Sequence, residues 1–483
     1  MNPYDLVEYP SYAIPQSYPD KLAVVAEMFG VNPVPPGRAR VLDVGCGSGA
    51  NLLPMAVLWP GSEYVGIDLA ASAIDKAKAS AAQLGLKNVH FTMADLMDHE
   101  LDLGKFDYII AHGFISWVPT FVRKRLFEVC RDLLTPRGIA YISYNSYPGS
   151  HIRDMFRQIM LEHVRDIADP MKRAEEARAL VQLIADSGVA SDAIQELARS
   201  ERDVIFRKSI GSFYHDELEV NFNPIYFHEF ASFASVHDLQ FIFEAVYNEG
   251  QVPLQLTDEA NGLLEQAATR GVLVHEQYQD FLKLRRFRQS LVTHSSVAID
   301  REAPPRMMHK FHFAAPLQRT AVPEGVEFSN PQTKAAVVTP NPITISALDR
   351  IGKAWPSTVA FDQLTDDPGQ REGLEPVLER FFAAGLIDAH ATPRICLQQP
   401  GTHPEVWKYA RWQAQNHERV LTPMTLAGVA VEDENIRKLV LLADGTRSVD
   451  ELAAAIGDRT GVERSLVGAA RMGFLVPPGS GLQ

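Results

Sequence analysis

The chain has 483 residues, 46% of them hydrophobic and 22% charged, with a formal net charge of −14. That length implies several cores rather than one, and that composition can fill them. The acidic balance argues against generic binding to phosphate backbones, hence no nucleic-acid partner, and suits cationic, lysine-bearing partners.

The N-terminal stretch Met1–Tyr12 lacks a basic start followed by an apolar run, so it does not read as a signal peptide. No segment approaches about 18 uninterrupted apolar residues, so no membrane span is expected. Cys46, Cys130 and Cys396 form no CxxC pair, which points to a reducing, cytoplasmic setting without disulfides or a zinc cluster. Residues 1–39 form an arm rich in Tyr and Pro: Tyr4, Tyr9, Pro10, Tyr12, Pro15, Tyr18 and Pro19, closed by Pro33, Pro35, Pro36 and Gly37. A helix over Asp20–Phe29 interrupts it. Such an arm either packs against the body or carries aromatic rings over a pocket as a lid.

Residues 40–250 predict an α/β, Rossmann-like domain. Apolar runs at Arg40–Val44, Tyr64–Ile67, Val89–Thr92, Asp107–Ala111 and Ile139–Tyr144 alternate with helical periods such as Ala70–Leu84 and Phe121–Leu134. Short buried strands separated by crossover helices make a parallel sheet covered on both faces. A charged helical insertion is expected over about 150–225, then a helix at Tyr226–Ala234 and a late strand at Leu239–Phe243. Residues 255–300 read as helical, placing a helical middle domain at 251–325, and the polar 315–342 stretch reads as a linker. Residues 340–483 contain two helix–glycine–extended units, ending at Gly385 and Gly473. With the preceding helices (Ile345–Ala354 and Val449–Ile456) they suggest a winged-helix-like α+β domain used for protein docking.

The chemistry is carried by Val41-Leu42-Asp43-Val44-Gly45-Cys46-Gly47-Ser48-Gly49. A strand runs into a glycine turn that opens a helix, so the backbone can approach a ligand closely. A dinucleotide site would show GxGxxG with pyrophosphate on the helix N-terminus. Here an acidic residue precedes GxGxG, which suits the ammonium of S-adenosylmethionine (SAM), with backbone N–H groups near Gly47 and Gly49 for its carboxylate. Asp68 closes the second strand and suits ribose hydroxyls. After the third strand, Asp95 suits the adenine amino group, with Leu69, Ala94 and Leu96 along the nucleoside. Asp43, Gly45, Cys46, Gly47, Gly49, Asp68, Leu69, Ala94, Asp95 and Leu96 are therefore the expected cofactor-binding set.

Ligands in open α/β sheets sit beyond the carboxyl ends of the strands. There the fourth strand runs into Ala111-His112-Gly113-Phe114-Ile115-Ser116-Trp117-Val118-Pro119, and the fifth into Tyr144-Asn145-Ser146-Tyr147-Pro148-Gly149. His112 is either a base or a hydrogen-bonding wall shared with the cofactor. Trp117, Tyr144 and, from the arm, Tyr12 are expected to face the acceptor, where aromatic rings attract cations. The Asn-Pro-Pro-Tyr motif of adenine N6-methylating enzymes is missing at this point. Tyr214-His215-Asp216-Glu217 and His228-Glu229 have no metal-motif spacing, so no metal is expected.

These elements, with Asn51-Leu52-Leu53-Pro54-Met55-Ala56, Tyr141-Ile142-Ser143-Tyr144-Asn145, Pro224–Phe230 and Arg286–Leu291, resemble bacterial class I methyltransferases that carry a methyltransferase regulatory domain. Characterised members of that kind methylate lysines of outer-membrane proteins. The resemblance implies SAM as cofactor, S-adenosylhomocysteine as product and a protein lysine as acceptor. The arm departs from it: Gln16-Ser17-Tyr18-Pro19 stands where Gln-Thr-His-Pro is expected, which puts Tyr18 in question at the acceptor. The alternatives are a small-molecule methyltransferase and a non-catalytic SAM-binding scaffold.

Overall fold

Val41, Leu42 and Val44 are buried on both faces of β1 (Arg40–Val44), as a strand in mid-sheet requires. The computed structural model describes residues 7, 9, 11–98, 102–188, 191–252, 256–480 and 482; Tyr4 and Pro10 of the arm lie outside them. Around β1 lie β2 (Glu63–Asp68), β3 (Val89–Met93), β4 (Phe106–Ala111), β5 (Leu134–Asn145), β6 (Leu239–Glu244) and β7 (Phe287–His294). Their order is β3-β2-β1-β4-β5-β7-β6. The first five are parallel, and β7 runs antiparallel between β5 and β6.

Side chains alternate across these strands. Val41, Tyr64, Tyr108, Ile110 and Tyr141 face a core built with α1 (Pro19–Met28), α2 (Leu52–Leu58) and α3 (Ala71–Gln83). Leu42, Val44, Ile109, Ala111, Ile142 and Tyr144 face the opposite core, built with α4 (Thr120–Leu133). The insertion folds as α5 (Ser150–His163), α6 (Pro170–Asp186), α7 (Asp192–Arg207) and α8 (Ile210–Glu217) around Met160, Val164, Val181, Ile205 and Phe213. Next come α9 (Phe227–Ser235), α10 (Tyr247–Gly250), α11 (Asp258–Ala268) and α12 (Val272–Lys283).

Two expectations are corrected. Residues 255–300 are not helical throughout: 287–294 form β7, so a boundary at 250 cuts the sheet from its own strand. Arg288, Gln289, Ser290 and Thr293 deny β7 the apolar run of a buried strand. Ion pairs replace it, because the fully buried Arg288 contacts Glu244 at 2.6 Å, Asp280 at 2.8 Å and Glu276 at 3.1 Å. The 315–342 stretch is also not a plain linker. It forms β9 (Gln318–Val322), β10 (Gly325–Ser329) and β11 (Ala336–Thr339), an antiparallel sheet preceded by β8 (His312–Ala314). The residues of β9 are largely exposed, which gives the strand its linker-like composition.

β8 pairs with β12 (Val359–Ala360) and β13 (Asp388–His390), enclosing α13 (Pro342–Ala354) and α14 (Arg371–Ala383). Gly385 and Gly473 both adopt left-handed conformations as expected of helix stops, with φ of 70° and 84°. Leu475 after the second makes a single bridge to Val406 rather than a strand. The core on the α1–α3 face continues unbroken into this C-terminal part, through Leu348, Leu378, Trp407 and Leu466. Asp20 of α1 accepts from His390 at 2.7 Å and from Thr392, and Lys21 pairs with Asp388.

Candidate active site

β1 ends at Val44 and the backbone turns through Gly45, Gly47 and Gly49, all at positive φ (77°, 53° and 79°). At Gly49 a Cβ would lie 2.6 Å from the Phe91 ring, so a side chain there would have to displace that ring as well as hold a left-handed backbone. The Gly45 and Cys46 N–H groups donate to the Ile67 carbonyl at 2.8 and 3.1 Å, pinning the turn to β2. The Gly47 N–H donates to Asp68 Oδ2 at 2.9 Å, and Asp68 Oδ1 accepts from the Ala70 N–H at 2.8 Å. Ala94 N–H donates to the Asp68 carbonyl at 3.0 Å. Asp43, Asp68 and Asp95 thus end or follow three adjacent strands, β1, β2 and β3, along one edge of the sheet.

Burial pushes the Asp43 carboxyl up to about 7, with Asn51 pulling it down and Asp68 pushing it further up. A buried carboxyl held at that threshold suits a cationic group arriving from solution. Gly45 and Asp95 are exposed, Asp68 and Ala94 half-buried, and Leu69 is 62% exposed, leaving an open edge along which a nucleoside can lie. The arm crosses this edge. Asn51 Oδ1 accepts from the Ile14 N–H at 2.9 Å, Asn51 Nδ2 donates to Ser17 Oγ at 3.0 Å, and Ser11 Oγ lies 3.3 Å from where a Gly47 Cβ would sit.

Three cofactor expectations change. The N–H groups of Gly47 and Gly49 are taken by Asp68 and by the Cys46 carbonyl, so neither is free for a carboxylate. The Cys46 thiol is buried beneath the turn and its pKa is raised by that burial. Leu96 is buried in the core on the α4 face, so its side chain does not line the open edge.

On the acceptor side, His112 follows β4 with Nδ1 2.9 Å from Tyr141 Oη and 3.2 Å from Ser143 Oγ. Burial lowers its pKa to about 4, against the pull of Asp216, so the ring is neutral at physiological pH. Its Nε2 has no hydrogen-bond partner among the described residues. Trp117 is half-buried 5.4 Å from the Phe222 ring, and its cation partners are the protein's own Arg153 and Arg157, at 5.6 and 5.4 Å. Tyr12 is half-exposed on the arm.

Tyr144 is corrected. It is fully buried, stacked 4.6 Å from Phe230, with its hydroxyl 3.4 Å from Ser290. Tyr141 and Ser143 of β5 take the place beside His112; strand alternation turns Tyr144 to the opposite face. That period of two was the available signal for Tyr141. Tyr18 is also buried, 6.2 Å from Trp59, beside a cavity of about 160 Å³ shared with the C-terminal part.

Spacing gave no hint of the contacts that join the insertion to β5. Arg153 of α5 donates to Asn145 Oδ1 at 2.8 Å and pairs with Glu217 of α8, which also pairs with Lys208. His215 Nε2 lies 2.6 Å from the Val7 carbonyl, and His228 Nδ1 lies 3.0 Å from Gln277 Oε1.

This sheet order, with a glycine turn and acidic residues along the carboxyl edge, defines a SAM-dependent methyltransferase. Residues 37–197 match the model of a methyltransferase domain, and residues 211–294 that of a predicted methyltransferase regulatory domain. The uncharacterized protein RP789 of Rickettsia prowazekii is 32% identical over 380 residues, covering 76% of this chain and 68% of the relative. RP028 of the same organism is 35% identical over 229 residues, 47% of this chain and 91% of its own. The chain belongs to the family of SAM-dependent methyltransferases with a methyltransferase regulatory domain. PKMT2 from Rickettsia typhi, also solved in complex with AdoHcy, has the same fold: TM-score 0.85, 23% identity, covering 97% of this chain and 100% of PKMT2. No helix among the described residues is long and apolar enough to cross a membrane.

Proposed function

We propose that this methyltransferase acts on lysine side chains of a protein. The observation that carries the reading is His112: a neutral imidazole at the edge of the cofactor cradle, one nitrogen held by Tyr141 and the other open. A neutral acceptor there receives an N–H of an amine and leaves the amine lone pair for the methyl carbon. The likeness to PKMT2 over nearly the whole chain, insertion and C-terminal part included, supports a macromolecular acceptor.

Asp43 takes the ammonium of SAM, Asp68 the ribose hydroxyls and Asp95 the adenine amino group. Bound SAM supplies a methyl on a sulfonium; the C–S bond pair returns to sulfur as the amine nitrogen forms the new C–N bond. A lysine enclosed here sheds its proton more readily, because burial disfavours the ammonium. The arm acts as a lid: Tyr9 Oη reaches Asp216 at 3.4 Å while Ser11 lies over the glycine turn.

The test is incubation with methyl-labelled SAM and cell extract, followed by acid hydrolysis of the protein fraction. The expected product is labelled N-methyl-lysine. Label confined to small molecules would replace this reading with the small-molecule one.

A further inference from the structure

The regulatory-domain region contributes two residues that converge on His112 from behind. Glu249 lies on α10 and Gln289 on β7. Gln289 Nε2 donates to Glu249 Oε2 at 3.4 Å, and Gln289 Oε1 accepts from Tyr141 Oη at 2.7 Å. The Tyr141 oxygen then lies 2.9 Å from His112 Nδ1. Each bond has a direction. A carboxylate only accepts, so Glu249 orients the Gln289 amide with its NH2 outward and its oxygen toward Tyr141. Tyr141 has one hydroxyl proton and gives it to Gln289. It can therefore only accept from His112, which must carry its proton on Nδ1. Gln289 is itself fixed, since its backbone N–H donates to Glu244 Oε2 at 2.8 Å and Glu244 is fully buried.

We propose that Glu249, acting through Gln289 and Tyr141, is a positioning residue that locks His112 in the Nδ1–H tautomer, so that Nε2 presents its lone pair to an N–H of the acceptor. This rests on the acceptor reading of His112 above. It gives the regulatory-domain region a direct chemical role, since that region sets which nitrogen of the site's histidine is bare. Ser143 Oγ, 3.2 Å from Nδ1, is the competing partner: it receives the Gly113 N–H at 2.7 Å and keeps its own hydroxyl proton, and a Ser143 that gave this proton to Nδ1 would leave the histidine proton on Nε2.

The test is 15N NMR of the His112 imidazole in the full-length protein near pH 7, assigned by difference against His112→Gln. The wild type should show Nδ1 protonated and Nε2 bare. In Gln289→Met the Tyr141 hydroxyl loses its acceptor and turns to His112, so the proton should move to Nε2. Glu249→Gln frees the Gln289 amide to flip and should give a mixture of tautomers. With the methylated substrate in hand, Gln289→Met should lower kcat about 100-fold, the lower end of the range for proton-handling groups, with S-adenosylhomocysteine affinity unchanged. A wild-type ring protonated on Nε2, or a tautomer unmoved in both variants, overturns the proposal. The spectra need no acceptor, so failure of the lysine reading would leave them as they are.

Discussion

The Gly47 N–H donates to the Asp68 carboxylate at 2.9 Å, so the glycine turn after β1 and the acidic end of β2 are one unit. A ligand that engages Asp68 is felt at the turn, and a change at Asp68 loosens both.

Asp68→Ala is therefore expected to weaken S-adenosylhomocysteine binding about 10- to 100-fold. A hydrogen bond to a charged group contributes about 1.5–3 kcal/mol, so the net loss of one such bond to the ribose corresponds to about that factor. Titration calorimetry measures it; an unchanged Kd would mean the ribose lies elsewhere.

Asp43 sets a pH dependence. Burial raises its carboxyl to about 7, so below that pH the free protein holds it protonated. A cationic ligand favours the ionised form, so binding expels a proton below about pH 7. Affinity should climb with pH up to about 7 and then level off. Calorimetry in buffers of different ionisation enthalpy counts the proton. Asp43→Asn should remove this proton release and the slope; a slope that survives in the variant assigns it to another group.

Tyr144→Phe should leave kcat and KM within about twofold. The hydroxyl makes only a 3.4 Å contact with Ser290 inside the core, and the ring is retained. Tyr141→Phe, at the other face of the same strand, should lower kcat, because it removes the contact to His112 Nδ1. Equal losses in the two variants would show the faces misassigned.

Arg288→Met should destabilise the fold by about 3–5 kcal/mol, since it strands Glu244, Asp280 and Glu276 without their buried counter-charge. Urea unfolding followed by tryptophan fluorescence reads this. A shift under about 1 kcal/mol would mean the neighbouring Arg285, 2.9 Å from Asp280, suffices alone.

The first five strands were legible because each is a short apolar run beside a helical period, and that pattern is written in contiguous residues. The order of Asp43, Gly45 to Gly49, Asp68 and Asp95 was legible for the same reason: each sits at the end of its own strand, so spacing along the chain fixes the edge on which it emerges. Two helix–glycine stops, at Gly385 and Gly473, were legible from local capping chemistry alone.

What local pattern could not reveal depended on distant partners. β7 is polar over Arg288–Ser290, and Arg288 is buried there because Glu244, Glu276 and Asp280 neutralise it. Which tyrosine of β5 meets His112 depends on the strand's phase relative to β4, and one residue of phase exchanges Tyr144 for Tyr141. The union of the C-terminal part with the catalytic core, through Trp407 and the Asp20–His390 contact, joins residues some 370 positions apart. Side-chain periodicity is a property of a segment and survives in the sequence. Charge compensation and facing between segments exist only once the chain has closed on itself.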